Sequence, residues 1–349
     1  MNKFIILLII KVFFFIYIQF HYIYTILYDF FNESSSTLSL ANKKSHEMFL
    51  NIYSMSYNII NNKLNITGNY KITNKIDIII SNHLFIFDTH ILISLLTQID
   101  NREVYFIAGY NPLIYLGGFP LLMSKFKCIF INKDSKKDEK ILKDKLNNIN
   151  HGIIVIFPEG AIINKHRYEK SIDYCKKNNL KPFNNLLYPR TTCLLFIINE
   201  LKKKNKLGNL IDLTIVLSKN NGKCNMISDL INSNSFKNKN IYDVKDIHII
   251  IHSYKLNKQI ENRDVFKKFL LNIYKKKDII LNGENYKNYD YKLIKYNKIK
   301  KIKVLLLVFI VIYINIHLIK HTHGIILLIY IFLILYKNIK LVNDFKTQI

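Results

Sequence analysis

The chain has no tryptophan and only four arginines, although lysine and arginine together number 51. Lysine therefore carries nearly all the positive charge, in a chain also crowded with asparagine and isoleucine, and that pattern reads as codon bias. The net charge of +26 over 349 residues is discounted accordingly as a sign of nucleic-acid binding. No recognisable nucleic-acid module accompanies it. Cysteine is scarce as well: Cys128, Cys175, Cys193 and Cys224 lie far apart, with no Cys-x-x-Cys pair. That spacing excludes a disulfide scaffold and a cysteine-based zinc module, and fits free thiols in a reducing compartment. No internal repeat is present. What the chain has in plenty is apolar surface, 50% of residues being hydrophobic and 13% aromatic, which excludes global disorder. Its length allows one large domain or two of ordinary size.

The apolar residues are concentrated at both ends. Residues 4–27 read FIILLIIKVFFFIYIQFHYIYTIL, long enough for the roughly 20 residues a membrane helix needs. The run exceeds a signal-peptide core and no small-x-small cleavage site follows, so an uncleaved anchor is expected. Lys11 can snorkel, and the aromatic residues suit an interface. Residues 304–319 and 324–336 form a second apolar pair joined by Lys320–His323. Either they make a helical hairpin that uses flanking residues to span, or they dip into the bilayer and return. Lysines flank the pair on both outer sides, placing both ends in the cytosol by the positive-inside rule.

Between these ends the pattern alternates. Short apolar runs at 76–81, 104–107, 128–131, 153–157, 211–217 and 247–251 read as buried parallel strands. Helical spacing separates them: Leu142, Leu146 and Ile149 on one segment, and Val265, Phe266, Phe269, Leu270 and Ile273 on another. Segments 32–46 and 202–209 read as surface loops. The expected fold is α/β, a mostly parallel sheet covered by helices, with an N-terminal hydrophobic anchor and a C-terminal hydrophobic helical hairpin. The expected division is 1–45 for anchor and polar linker, 46–290 for a catalytic domain, and 291–349 for the basic flank and hairpin.

In such sheets ligands bind beyond the carboxyl ends of the strands, and polar residues follow those ends here. After the first run come Ser81, Asn82, His83, then Leu84, Phe85 and, at the start of a helical stretch, Asp88. On a continuous helix His83 and Asp88 would point about 140° apart. They meet only if His83 lies in the turn and Asp88 in the first helical turn, where a carboxylate also suits the dipole. An imidazole so oriented is equipped to take a proton from an alcohol. Later strand ends give Phe130-Ile-Asn-Lys133 and Phe157-Pro-Glu-Gly160, whose Pro158 and Gly160 make a tight turn with Glu159 aimed into the crevice. Arg190, in Tyr-Pro-Arg-Thr-Thr before an apolar helix, offers a bidentate anion site beside helix amides. His248 and His252 share a strand face, but no third residue follows with ligand spacing, so no metal is expected. The histidines at 21, 317, 321 and 323 fall in the apolar ends or their link.

Taken in order, His83-x4-Asp88, Phe-Ile-x-Lys133, Phe-Pro-Glu159-Gly160 and Tyr-Pro-Arg190-Thr-Thr resemble the glycerolipid acyltransferase family of lysophosphatidic acid and lysophospholipid acyltransferases. The Pro-Arg-Thr-Thr block and the C-terminal apolar pair look most like the eukaryotic subgroup containing lysocardiolipin acyltransferase. The resemblance runs from about residue 75 to 285. It implies His83 as general base and Asp88 as its orienting partner, with Glu159 and Gly160 in the block associated with the acceptor's phosphate. Two positions depart from the family pattern: Lys133 stands where an arginine is usual, and Ala161 where a threonine is usual. Both bear on acceptor choice more than on the reaction.

The resemblance implies acyl-CoA-dependent transfer to the free hydroxyl of a lysophospholipid, either lysophosphatidic acid or a headgroup-bearing lysolipid. Acyl-CoA is then a co-substrate and no cofactor is needed. Lys133 and Arg190 would hold anionic groups of the acceptor or of coenzyme A. The expected setting is the endoplasmic reticulum membrane, with the catalytic domain facing the cytosol. The alternatives are a membrane-bound thioesterase or hydrolase using the same His–Asp pair on water, and a non-catalytic lipid-binding membrane protein.

Overall fold

The computed structural model describes residues 63–84, 88–100, 102–109, 127–132, 135–219, 244–257, 262–282 and 285–294. The N-terminal and C-terminal apolar runs, Phe85, Lys133 and Cys224 lie outside the described residues. No described helix is long and apolar enough to cross a membrane.

The strands are β1 (Lys63–Gly68), β2 (Ile76–Ser81), β3 (Val104–Gly109), β4 (Ile129–Ile131), β5 (Gly152–Ile156), β6 (Leu207–Lys219), β7 (Val244–Tyr254) and β8 (Lys292–Ile294). They form one sheet in the order β4-β3-β5-β2-β6-β7-β1-β8. The helices are α1 (Asp88–Ile99), α2 (Ser135–Asn147), α3 (Lys165–Lys177), α4 (Thr192–Lys203) and α5 (Arg263–Leu281). The strand expected at 76–81 is β2, and every residue of it is buried. Neighbouring residues on a strand face opposite ways, so burial of all six means that both faces of the sheet are covered here. Leu142, Leu146 and Ile149 are buried as their spacing predicted, and so are Phe266, Leu270 and Ile273, whereas Val265 is exposed.

The sheet is mixed. β2 runs parallel to both β5 and β6, β3 runs parallel to β5 and β4, and β1 runs parallel to β7. The β6/β7 and β1/β8 pairs are antiparallel. Most pairings are thus parallel, as expected, and the departures are the antiparallel β6/β7 and β1/β8 pairs. Long apolar strands such as β6 and β7 carry no mark of direction in their composition. The loop expected at 202–209 is also corrected: α4 continues to Lys203 and β6 already starts at Leu207. Tertiary bonds extend that strand, since Ile76 N donates to Lys206 O at 2.9 Å and Asn209 N donates to Asp77 at 2.6 Å.

Local signals start two helices. The Asn164 side chain accepts from Arg167 N at 2.9 Å to cap α3, and Asn262 accepts from Val265 N at 2.9 Å to cap α5. At the amino end of β2, Arg102 gathers the chain. Its guanidinium reaches Asp77 and Asp100 at 2.7 Å each and the carbonyls of Thr73 and Lys75 at 3.0 Å each. A planar fork with five donors suits this many-sided contact. The opposite, carboxyl end of β2 leads to the candidate site.

Candidate active site

Because β2 and β5 are parallel neighbours, the segments leaving their carboxyl ends emerge side by side. His83 follows β2 and Phe157 follows β5, and their rings stack with centroids 4.1 Å apart and planes 17° apart. Asp88 heads α1, as the meeting of the two residues requires. Its Oδ2 accepts from the Leu84 amide at 2.6 Å and lies 2.9 Å from His83 Nδ1. Asp88 is fully buried while the His83 side chain is 18% exposed. A carboxylate can only accept, so Nδ1 carries the proton and donates to Asp88, which leaves Nε2 with its lone pair. The partial exposure of the ring gives that nitrogen access.

The Phe157–Gly160 turn closes with a Gly160 N to Phe157 O bond of 2.9 Å. Gly160 holds φ +70°, in the left-handed region where a side chain is strained. The turn was expected, but Glu159 was expected to project into the crevice, and it turns inward instead. It is buried, and its two oxygens accept from His83 N and Leu187 N, each at 3.0 Å. One carboxylate thereby fastens the segment after β2 to the segment before α4. Burial pushes the Glu159 carboxyl up to about 8, against the pull of the two amides and of Lys277. A further bond, Ile163 N to His83 O at 3.1 Å, holds the His83 turn from its other side.

Arg190 reaches the same turn. Its backbone N donates to Pro158 O at 2.8 Å. Its exposed side chain lies over Gly160, where a Cβ would sit 3.6 to 3.8 Å from Cδ, Nε and Cζ of the arginine. The structure therefore brings His83, Asp88, Glu159, Gly160 and Arg190 to one place. Lys133 falls outside the described residues; its neighbour Asn132 donates its amide to Asp138 at 2.6 Å, which ties the end of β4 to α2.

Three supporting residues escaped the sequence reading. Asn82 is fully buried and spans the gap between β2 and β6, with Nδ2 donating to Ile215 O at 3.0 Å and Oδ1 accepting from Ile215 N at 2.8 Å. Lys277 of α5 and Asp212 of β6 form a buried pair at 2.5 Å. Lys277 occupies the stripe marked by Phe266, Leu270, Ile273 and Tyr274, and that periodicity was the available signal. His248, the other histidine weighed from sequence, packs its ring against Tyr286 and Tyr291. Burial pushes the thiols of Cys128 and Cys193 up to about 12 and that of Cys175 above its ordinary value, away from the thiolate a nucleophile needs.

A histidine oriented by a buried carboxylate, at the carboxyl ends of adjacent parallel strands and beside an exposed arginine, is chemically equipped to take a proton from a hydroxyl held next to an anion. Residues 63–198 match the acyltransferase family model. The chain is 28% identical over 154 residues to lysocardiolipin acyltransferase 1 of Mus musculus, covering 43% of this chain and 41% of that protein. It is 27% identical over 162 residues to lysocardiolipin acyltransferase 1 of Gallus gallus, covering 45% and 43%. With lysophosphatidylinositol acyltransferase 10 of Caenorhabditis elegans it shares 29% identity over 102 residues, covering 28% and 26%. The matched region thus spans less than half the length of these relatives. The crystal structure of the 1-acyl-sn-glycerophosphate (LPA) acyltransferase PlsC from Thermotoga maritima aligns with 81% of this chain and 99% of that one, at a TM-score of 0.47 and 13% identity.

Proposed function

We propose that the chain is an acyl-CoA-dependent O-acyltransferase that esterifies the free hydroxyl of a lysophospholipid, either lysophosphatidic acid or a headgroup-bearing lysolipid. The observation that carries this reading is the 2.9 Å contact between His83 Nδ1 and Asp88, which leaves Nε2 to act as a base. His83 takes the hydroxyl proton as the acceptor oxygen attacks the thioester carbonyl. The C–S bond then breaks, coenzyme A departs as thiolate, and the imidazolium returns a proton. Asp88 holds the tautomer and stabilises the transient imidazolium, as the carboxylate does in a Ser-His-Asp triad. No acyl-enzyme is needed, because the acceptor hydroxyl is itself the nucleophile. Arg190 binds the acceptor phosphate or the phosphates of coenzyme A by its planar fork, with Lys133 as a second cation.

In this reading residues 1–45 anchor the chain, 46–290 form the catalytic unit, and 291–349 return to the bilayer. The catalytic unit faces the cytosol at the endoplasmic reticulum membrane, where acyl-CoA is available. Lysine flanks would add roughly 1 kcal/mol each on an anionic leaflet. The test is the purified full chain with one labelled acyl-CoA and a panel of lysolipids. Labelled phospholipid formed only when lysolipid is present supports transfer. Equal acyl-CoA consumption with and without lysolipid assigns the site to hydrolysis, and no consumption in either case sinks both. Protease protection in sealed microsomes tests the placement, which a protected 46–290 region would overturn.

A further inference from the structure

A single hydrogen bond directs His83 Nδ1 at Asp88 but leaves the plane of the imidazole unset. The ring of Phe157 sets it. Its centroid lies 4.1 Å from that of the imidazole, with 17° between the planes, so one face of the histidine is covered by one face of the phenylalanine. The backbones that carry the two rings are tied together as well. Glu159 accepts the His83 amide at 3.0 Å, and Ile163 N donates to the His83 carbonyl at 3.1 Å. The segment following Phe157 therefore holds the histidine on both sides. Phe157 packs against the core, and Pro158 disfavours helical backbone at it. The stack thus comes from the end of β5, whereas Asp88 comes from the head of α1.

Coverage alone does not call for an aromatic side chain. Leucine would keep water from the same face, but it would present no negative surface. The face of a benzene ring carries the negative part of its quadrupole and attracts a cation within about 6 Å of the centroid. His83 is such a cation only after it has taken a proton. The attraction is then stronger once the proton has moved than before, which is the condition for an interaction to accelerate a step. Among the described residues, Asp88 faces the imidazole at Nδ1, and Glu159, from the turn after β5, faces the His83 amide. The exposed Arg190 lies over Gly160 in that same turn. Asp88 acts in the plane of the ring and Phe157 acts from its face, which leaves the in-plane direction of Nε2 to the acceptor.

We propose that Phe157 is a positioning residue for the base: its ring sets the plane of the His83 imidazole and, by its negative face, stabilises the imidazolium that forms during proton transfer. The inference deepens the acyltransferase reading and rests on His83 as base for its kinetic part only.

Phe157→Leu removes the ring but would also loosen the turn. The decisive series therefore replaces Phe157, in the full chain, by phenylalanine carrying successive ring fluorines, which withdraw electron density from the face and change the size little. With acyl-CoA and acceptor saturating, kcat should fall stepwise along the series, by about fivefold to thirtyfold in total. Both KM values should stay within about twofold. A flat kcat, or an effect carried by KM, overturns the inference.

A second readout needs no turnover. Thermal midpoints are compared at about pH 5, where imidazoles are charged, and at about pH 9, where they are not. A ring that favours the imidazolium stabilises the folded chain below the ordinary histidine range, and that stabilisation is lost as pH rises. The fluorinated chains should therefore be less stable than wild type at the lower pH only. Glu159, raised to about 8, also titrates in this interval, so the series is repeated with His83→Ala, which should abolish the difference. Midpoints that stay unmoved, fall equally at both pH values, or respond to fluorination without His83 overturn the stacking role. A difference confined to the lower pH, in a chain that acylates no lysolipid, upholds the stack and removes the acyltransferase reading instead.

Discussion

The Asn82 side chain pairs with the backbone of Ile215 as another strand residue would, giving one hydrogen bond and taking one. β2 ends at Ser81, so this amide continues the β2/β6 ladder one step further, to the residue before His83. Asn82→Ala should orphan both Ile215 groups, at about 1–3 kcal/mol each. Asn82→Asp should keep the bond from Ile215 N while setting a carboxylate against Ile215 O. Both should lower the denaturation midpoint and kcat together, with Asp the worse. Unchanged kcat in a folded Asn82→Ala chain would show that His83 needs no such anchor.

His83→Ala should lower transfer by about 10²–10⁴, the usual contribution of a positioned base, with expression and membrane association retained. Asp88→Asn should also be severely impaired, since an amide neither selects the tautomer nor stabilises the imidazolium. Steady-state rates with saturating acyl-CoA and acceptor check both, and wild-type turnover from either would remove the pair from the chemistry.

Glu159 should give opposite pH trends for activity and stability. Its carboxyl, raised to about 8, holds a proton more tightly in the folded chain than in the unfolded one. Stability should therefore fall as pH rises from the ordinary carboxylate range towards about 8, and flatten above it. Activity should rise through the same interval, because the ionised form grips both amides. Thermal midpoints and kcat at pH 6 and pH 9 test the opposition. Glu159→Gln should lose the trend centred near 8 in both measurements.

The anion site is tested by exchange of fork and point charge. Arg190→Lys should cost activity although the charge remains, because one ammonium cannot make two parallel bonds. Lys133→Arg should be tolerated, and Lys133→Met should raise the acceptor KM more than the acyl-CoA KM, with charge-assisted contacts contributing roughly 1.5–3 kcal/mol. If Arg190→Lys is fully active and Lys133→Met leaves the acceptor KM unchanged, neither residue holds the phosphate.

The parallel pairings around β2 and β5 were readable because their strands are short, mainly apolar and separated by helical spacing. β2 was legible to the residue. β1 was not: KLNITG offers only Leu64 and Ile66, and it becomes a strand by lying beside β7, about 180 residues later. The lysines around 202–206 resemble a loop in composition, but Lys206 is drawn into the sheet by Ile76 N. At the site, motif spacing identified which residues meet but not where their side chains point. Glu159 looked like a ligand group because turns usually expose their acids, and only the positions of the His83 and Leu187 amides explain its inward course. Lys277 sits beside Lys275 and Lys276 and differs from them only in its place on the helical stripe.

The pairing of β2 with β6 also sets when the site can exist during synthesis. His83, Asp88, Glu159 and Arg190 have all been synthesised before Ile215 is made, so every group named in the proposed chemistry is present in a chain whose central strand still lacks one neighbour. Until β6 arrives, β2 presents an open edge of buried isoleucines, the kind of surface that invites pairing with another chain. The nascent protein thus carries His83 for over a hundred residues before that histidine has a fixed address. A fragment cut at residue 198, where the family match ends, should stay in that unfinished condition: sticky, dependent on chaperones and without activity.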